Sequence, residues 1–385
     1  MERSLRRLLA LLLAAATIVA PTLAPAVAAS EEYVPVWTKL SPPSAPSVRS
    51  GSALTPMISL GRLLLFGGCN GGKLGDTWEF DTANGTWTNR TAAPMPPIRY
   101  SPALVSDPVA RQTVLFGGAG PAVLNDTWRY QDSNGTWSNA SPPASPPPRQ
   151  AHVMAFAPKA QRMVMFGGVG GAYGFADLND TWVYDRQNNT WTEAAPSPSP
   201  SARYWPAFTF VGPGDRFMLY GGGTPNGTLS DVWFYQLENN SWWRSSAAAP
   251  PGPRRETTLA HHPSLDRVIM FGGSAPGLRN DTWSYQLSSG TWSNITPAIS
   301  PEARTEHAMS LDPASGKFVM FSGFRTGGAS FYLNDTWLLD LLAPAPGNSA
   351  GLLLPIALLT VATMMLLVFR VRRRRTSVSV DQDGR

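Results

Sequence analysis

The sequence predicts an all-β protein built from six repeated units, and three observations carry that prediction. Glycine and proline number 35 and 36 of 385 residues, which is too many turn formers for a helical bundle. Hydrophobic residues make up 43% of the chain and charged residues 15%, which is too apolar for a disordered protein. An aromatic-Gly-Gly triplet, or a close variant, recurs at steps of 50, 50, 54, 51 and 50 residues. Such a fixed period decides the fold before any other feature does.

One tryptophan follows the triplet at a fixed place in all six repeats, and a second one follows it in five of them. The triplets are Phe66-Gly67-Gly68, Phe116-Gly117-Gly118, Phe166-Gly167-Gly168, Tyr220-Gly221-Gly222, Phe271-Gly272-Gly273 and Phe321-Ser322-Gly323. An Asp-Thr-Trp or Asp-Val-Trp motif follows each one, ending at Trp78, Trp128, Trp182, Trp233, Trp283 and Trp337. A second tryptophan comes nine or ten residues later in five units, at Trp87, Trp137, Trp191, Trp242 or Trp243, and Trp292.

The third unit shows how one repeat fills one sheet. Short apolar runs separated by Gly, Pro, Asn and Ser turns predict four strands, at residues 151–156, 162–166, 181–185 and 190–193. Four short strands in about 50 residues make one small antiparallel sheet.

An arginine opens each unit, and it completes a recognisable pattern. These arginines are Arg49, Arg99, Arg149, Arg203, Arg254 and Arg304. A glycine doublet, two spaced aromatics and an arginine before the next strand resemble the kelch repeat, and the resemblance covers about residues 34–341. It implies a six-bladed β-propeller, with one four-stranded blade per repeat around a central channel.

The two ends of the repeat region complement each other. The sixth unit has Trp337 but no second tryptophan, whereas Trp37 precedes Arg49 by 12 residues, as Trp137 precedes Arg149. We therefore expect an N-terminal strand around Trp37 to complete the sixth blade and leave no open sheet edge. Of the 14 tryptophans, only Trp205 and one of the Trp242 and Trp243 pair then have no place in the repeat.

The chain ends predict a membrane protein. Residues 1–29 have a basic start, an apolar stretch and small residues near Ala28, as in a secretory signal peptide; an uncleaved anchor helix is the alternative. Residues 350–369 form a 20-residue stretch without a charge, long enough to span the roughly 30 Å hydrocarbon core. We expect a propeller at 34–341, a stalk at 342–349 and a transmembrane helix from Ala350 to Phe369.

The arginines that follow the C-terminal apolar stretch predict the orientation of the protein in the membrane. Five arginines directly follow the apolar stretch, at Arg370, Arg372, Arg373, Arg374 and Arg375, and such runs are typical of cytoplasmic flanks. Residues 370–385 are therefore predicted to be a cytoplasmic tail, with the propeller extracellular and the protein single-pass in the cell membrane. Nine of the 31 basic residues but only three of the 26 acidic ones lie at the two ends, so the middle is nearly neutral. We expect no nucleic-acid partner.

The six repeat arginines are the first candidate ligand-binding residues. The repeat places them near the face where loops of varying length join second to third strands, and such loops on a rigid scaffold commonly bind ligands. Arginine donates two parallel hydrogen bonds to a carboxylate, and the resemblance implies that arginines at matching positions contribute to binding acidic peptides or sugars. The alternative, favoured by sixfold recurrence for most of them, is that each arginine bonds loop carbonyls or pairs with an acidic neighbour inside the blades.

Glu306 and His307 are further candidates, because either could transfer a proton on a sugar held beside Arg304. The resemblance to kelch enzymes that epimerise sialic acid makes this an alternative, although alternation along a strand sends neighbours to opposite faces. A copper site like that of galactose oxidase needs paired Tyr and His ligands and a Cys joined to a Tyr. The chain has four His, and its one Cys, Cys69, has no matching Tyr signature. We expect no metal and no cofactor.

These observations predict a binding module rather than an enzyme. The expected partner is a glycan, a peptide or a protein on the loop-rich face of the propeller. A carbohydrate-active enzyme of the sialic-acid-epimerase or galactose-oxidase-like kelch type is the alternative, and a purely structural surface protein is a third possibility.

Overall fold

A computed structural model describes residues 33–171, 176–247, 250–327 and 331–342 of the chain. The predicted signal peptide (1–29), transmembrane helix (350–369) and cytoplasmic tail (370–385) lie outside the described residues, as does the predicted stalk (342–349) except for Leu342. Within the described ranges, no helix is both long and apolar enough to cross a membrane.

Almost all of the regular secondary structure in the described residues is β-strand, because the apolar runs are short and are separated by turn residues. The only helical elements in these ranges are two 3-10 turns, at Ile58–Leu60 and Pro263–Leu265. In chain order the strands are β1 (Val34–Leu40), β2 (Ala53–Met57), β3 (Arg62–Cys69), β4 (Lys73–Asp81), β5 (Thr86–Asn89), β6 (Ala103–Asp107), β7 (Gln112–Ala119), β8 (Val123–Gln131), β9 (Thr136–Asn139), β10 (Arg149–Gln150), β11 (Val153–Ala157), β12 (Arg162–Gly170), β13 (Ala176–Asp185), β14 (Thr190–Glu193), β15 (Ala207–Gly212), β16 (Arg216–Thr224), β17 (Gly227–Gln236), β18 (Ser241–Arg244), β19 (Thr258–His262), β20 (Arg267–Phe271), β21 (Thr282–Gln286), β22 (Thr291–Asn294), β23 (Ala308–Asp312), β24 (Lys317–Phe321) and β25 (Thr336–Leu342).

The strands form six antiparallel sheets, which are the blades of a β-propeller. Blade 1 is β2–β5, blade 2 is β6–β9, blade 3 is β10–β14, blade 4 is β15–β18 and blade 5 is β19–β22; blade 6 contains β23, β24, β25 and β1. This confirms the predicted all-β, six-bladed architecture. In blade 3, the predicted second strand continues past Phe166 to Gly170, because a bulge at Gly167, where φ is +66°, lets the pairing resume.

Blade 6 contains strands from both ends of the repeat region. Its order is β1-β25-β24-β23, so β1 lies beside β25. The ring of Trp37 packs edge-on against Trp337, with centroids 6.5 Å apart. The Trp37 indole N–H also donates to the hydroxyl of Thr282 in blade 5, at 3.0 Å.

The apolar core lies between neighbouring blades, and the second tryptophan of each repeat is its largest member. In five blades the indole N–H donates to the threonine of the preceding blade's Asp-Thr-Trp motif, at 2.9 to 3.1 Å. The pairs are Trp37 with Thr282, Trp87 with Thr336, Trp137 with Thr77, Trp191 with Thr127 and Trp242 with Thr181. Trp242 is thus the repeat residue, and Trp243, which is 39% exposed, is the additional one.

Blade 5 lacks this hydrogen bond, and the sequence explains why. Blade 4 has Val232 where the other blades have threonine, so the buried Trp292 indole N–H has no hydrogen-bond partner among the described residues. Replacing Val232 with threonine should raise the free energy of unfolding by about 1 kcal/mol, since an unsatisfied buried donor costs about 1–3 kcal/mol. Chemical denaturation measures this difference. The reverse change in blade 3, Thr181→Val, should lower the free energy by a similar amount; a loss of stability in both variants would contradict the explanation.

Candidate functional site

All six repeat arginines lie inside the blades, where each residue is at most 3% exposed. Each guanidinium makes paired hydrogen bonds to the aspartate of its own repeat's Asp-Thr-Trp or Asp-Val-Trp motif. The pairs are Arg49 with Asp76, Arg99 with Asp126, Arg149 with Asp180, Arg203 with Asp231, Arg254 with Asp281 and Arg304 with Asp335. This is the structural arrangement that the sequence left open as the alternative to ligand binding.

The first repeat shows how completely these groups are satisfied. Arg49 contacts both carboxylate oxygens of Asp76 at 2.7 Å and also donates to the Gly67 carbonyl at 3.0 Å. The Trp78 indole N–H donates to the same carboxylate at 2.7 Å. Burial raises the pKa of Asp76, but the hydrogen bonds and charge of Arg49 outweigh burial and lower the pKa overall. Each arginine therefore ties together parts of its own blade, and its guanidinium is committed to an aspartate rather than presented at the surface.

A closed ring of backbone hydrogen bonds surrounds one mouth of the channel. We call its members the mouth ring; they stand two residues after each repeat arginine and are Gly51, Ser101, Ala151, Trp205, Glu256 and Glu306. Each N–H donates to the carbonyl of the mouth-ring residue in the preceding blade, with N···O distances of 2.8 to 3.2 Å. The bond from Gly51 to Glu306, 2.9 Å long, joins blade 1 to blade 6.

The six mouth-ring residues share one backbone conformation, but their side chains differ from one another. All six φ angles lie between +48° and +61°, in the left-handed region. Glycine adopts this region freely, whereas other residues lose about 1–3 kcal/mol each. Five of the six blades nevertheless carry a side chain there. At Gly51, an added Cβ would lie 2.3 Å from Cε2 of Tyr100, so glycine makes room for the Tyr100 ring.

Two carboxylates lie next to each other on the mouth ring. Glu306 accepts hydrogen bonds from the Ser50 hydroxyl at 2.6 Å and from the Tyr100 hydroxyl at 2.9 Å. Glu256 accepts from the hydroxyl groups of Ser274 and Thr305. Burial raises the pKa of Glu306; the hydroxyl hydrogen bonds oppose this rise, and the charge of Glu256 adds to it.

Three aromatic side chains lie near these carboxylates. Trp205 packs edge-on against Tyr100, with centroids 6.4 Å apart, and against Tyr204, at 5.4 Å. Its indole N–H donates to the Ser101 hydroxyl at 3.3 Å. The mouth-ring side chains, together with His152 and His307, line a cavity of about 190 Å³.

A comparison with protein families agrees with this geometry. The model of the KLHDC2/KLHL20/DRC7 Kelch-repeats domain matches residues 54–273 and 169–344. The chain belongs to the kelch-repeat family. Among curated proteins nothing matches the chain.

The kelch propeller does not bring Arg304, Glu306 and His307 together as one proton-transfer group. Arg304 is occupied by Asp335, at 2.6 and 2.8 Å. His307 is buried beneath the mouth, where its Nε2 lies 2.9 Å from the Thr258 hydroxyl. Burial and the charge of Arg304 lower the His307 pKa to about 3, so the ring is neutral. Of these three residues, Glu306 alone places its carboxyl group among the mouth-ring side chains.

Nowhere in the described ranges do three or more His, Cys, Asp or Glu side chains come together to hold a metal ion. Below the mouth, the channel of the kelch propeller is lined by six large apolar side chains, each five residues after a repeat arginine. They are Leu54, Leu104, Met154, Phe208, Leu259 and Met309. The channel cavity that these side chains line measures about 320 Å³ and also has polar lining residues, which are Thr55, Ser106, Thr209, His261 and Ser310.

Sequence reasoning missed most of the mouth. The sequence makes Glu306 a candidate, but it does not single out Glu256, Trp205, Tyr100 or Tyr204 as site residues. One signal was available: Trp205 is a tryptophan that the repeat does not use. The contact between Tyr100 and Glu306 was not visible, because these residues are 206 positions apart in the chain.

Proposed function

We propose that the chain is a single-pass protein of the cell membrane whose extracellular kelch propeller binds a segment of a partner protein at the mouth ring. Kelch propellers are generally protein-interaction modules. The membrane setting is supported by the signal-like residues 1–29, the uncharged stretch 350–369 and the arginine run after it.

The proposal rests mainly on one observation: the six mouth-ring positions are structurally equivalent, but their side chains differ. Fold requirements act equally on six equivalent positions and favour glycine at each, because φ is positive. Within the mouth ring the chain has glycine only at Gly51, and it places Trp205, Glu256 and Glu306 at three consecutive positions. Strained non-glycine residues that cluster in this way are typical of binding sites.

The size of the cavity favours part of a macromolecule as the ligand. Pockets for drug-sized molecules measure about 300–1,000 Å³, whereas the mouth cavity measures about 190 Å³. It therefore suits one side chain of a partner whose remaining contacts spread over the surrounding loops. A structural surface protein would have no reason to keep the strained side chains.

Full-length protein in detergent, applied to peptide and glycan arrays, tests the proposal. Replacing Trp205 with glycine should weaken binding at least tenfold without lowering the free energy of unfolding, since glycine is unstrained at φ of +48°. Trp243→Ser is the matched control, because Ser138 and Ser293 occupy the equivalent position in blades 2 and 5. This control should bind like the natural protein.

Two outcomes would contradict the proposal. Binding that survives Trp205→Gly would move the site away from the mouth. The array ligands should also bind intact cells that carry the full chain; binding that requires cell lysis would contradict the extracellular placement.

A further inference from the structure

Glu306 is a largely buried carboxylate: burial raises its pKa, and the nearby charge of Arg255 is among the effects that lower it. Its two oxygens accept hydrogen bonds from Ser50 and Tyr100, which are neutral groups. No basic side chain of the described residues forms an ion pair with it. Glu256 differs, because Nε of Arg255 lies 3.3 Å from its Oε1. Burying an unpaired charge is costly, so a cation that reached Glu306 would be stabilised.

The aromatic side chains beside Glu306 suit the same kind of ligand. Cations are attracted to the faces of tryptophan and tyrosine rings, within about 6 Å of the centroid. Tyr100 hydrogen-bonds to Glu306 and also packs against Trp205, so ring and carboxylate are parts of one cluster. The protein already places one cation on this cluster: the Arg255 guanidinium lies 5.6 Å from the centroid of Tyr204 and donates to its hydroxyl.

We propose that the mouth binds a lysine or arginine side chain of the partner segment, with its charge at Glu306 and its stem against Trp205. This inference rests on the proposed function and names the chemistry of its ligand. The six repeat arginines are buried and paired with aspartates, so they are not available to a carboxylate ligand. A sugar would supply hydroxyl groups, which leave the charge of Glu306 uncompensated.

Binding of five peptides to the full-length protein in detergent tests the inference. The probes are acetyl-Gly-Ser-X-Ser-Gly-amide, where X is arginine, citrulline, lysine, norleucine or glutamate. We expect the arginine or lysine peptide to bind at least tenfold more tightly than its neutral counterpart, citrulline or norleucine. Glu306→Gln should remove that preference, since the amide keeps the shape and an acceptor but not the charge.

Glu238→Gln is the matched control. It makes the same chemical change on the turn between β17 and β18, at the opposite end of the blade 4 strands, where Glu238 pairs with Lys159 at 3.3 Å. The control should keep the preference for basic peptides, and thermal unfolding of both variants checks that they are folded.

Each remaining outcome decides between the two proposals. Equal binding of charged and neutral peptides, a preference that survives Glu306→Gln, or no binding of any probe at millimolar concentration would overturn the cation site. If array peptides still depend on Trp205 in any of these cases, the proposed binding function stands with a peptide of another chemistry; if only glycans depend on Trp205, the mouth is a binding site but its partner is not a protein. If neither the array ligands nor the peptide probes depend on Trp205 for binding, both proposals fail.

Discussion

Replacing Asp76 with alanine should lower the free energy of unfolding by about 3–5 kcal/mol, one of the two largest effects we expect in this protein. The substitution leaves the guanidinium of Arg49, which is 0% exposed, without a carboxylate. It also removes the acceptor of the Trp78 indole N–H. Denaturant titration followed by tryptophan fluorescence measures the loss, which is a large part of the roughly 5–15 kcal/mol that stabilises a typical domain.

Two further variants show whether the loss comes from the buried charge. Asp76→Asn keeps the shape and one acceptor, so we expect an intermediate loss. Asp340→Ala breaks the ion pair between Asp340, whose side chain is 32% exposed, and Lys317, whose side chain is 40% exposed. This substitution should lower the free energy of unfolding by less than about 1 kcal/mol. Equal losses for Asp76→Ala and Asp340→Ala would contradict a scaffold role for the repeat arginines.

Replacing Trp37 with alanine should also lower the free energy of unfolding by about 3–5 kcal/mol, as is usual for a buried tryptophan. Trp37 is 4% exposed, although it lies on the first described strand of the chain. Its loss removes the packing against Trp337 and Phe271 and the hydrogen bond to Thr282. Denaturant titration again measures the change.

Trp137→Ala is the matched comparison, because Trp137 occupies the equivalent place in blade 2 and donates to Thr77 at 2.9 Å. If β1 is an integral strand of the sixth blade, the two alanine variants should lose similar amounts. A near-zero loss for Trp37→Ala beside a full loss for Trp137→Ala would show that the N-terminal strand does not contribute to the folded ring.

The sequence predicts the scaffold of this protein well, for a physical reason. Each blade needs the same buried tryptophan, the same close approach at the glycine doublet and the same arginine, so these residues recur and can be counted. The role of the arginines was harder to predict. Arg49 and Asp76 stand 27 positions apart, and only the paired strands show that the two meet.

The candidate site at the mouth cannot be predicted from the repeat pattern, because its residues differ from blade to blade. Trp205 and Glu306 share a backbone position with Gly51 and Ala151, so a search for common features passes over them. Their neighbours come from distant parts of the chain and meet only where the blades converge. The residues that recur thus describe the fold, and the residues that differ at equivalent positions describe the candidate site.

The strongest direct test of this account is the hydrogen-exchange rate of the Gly51 amide in the full-length protein. A ring of six blades predicts that this amide, which donates to the Glu306 carbonyl across the junction of blades 1 and 6, exchanges as slowly as the amide of Ala151. Mass spectrometry with residue-level fragmentation compares the two. Fast exchange at Gly51 beside slow exchange at Ala151 would mean that the ring is open at this junction, and the mouth as described would not exist.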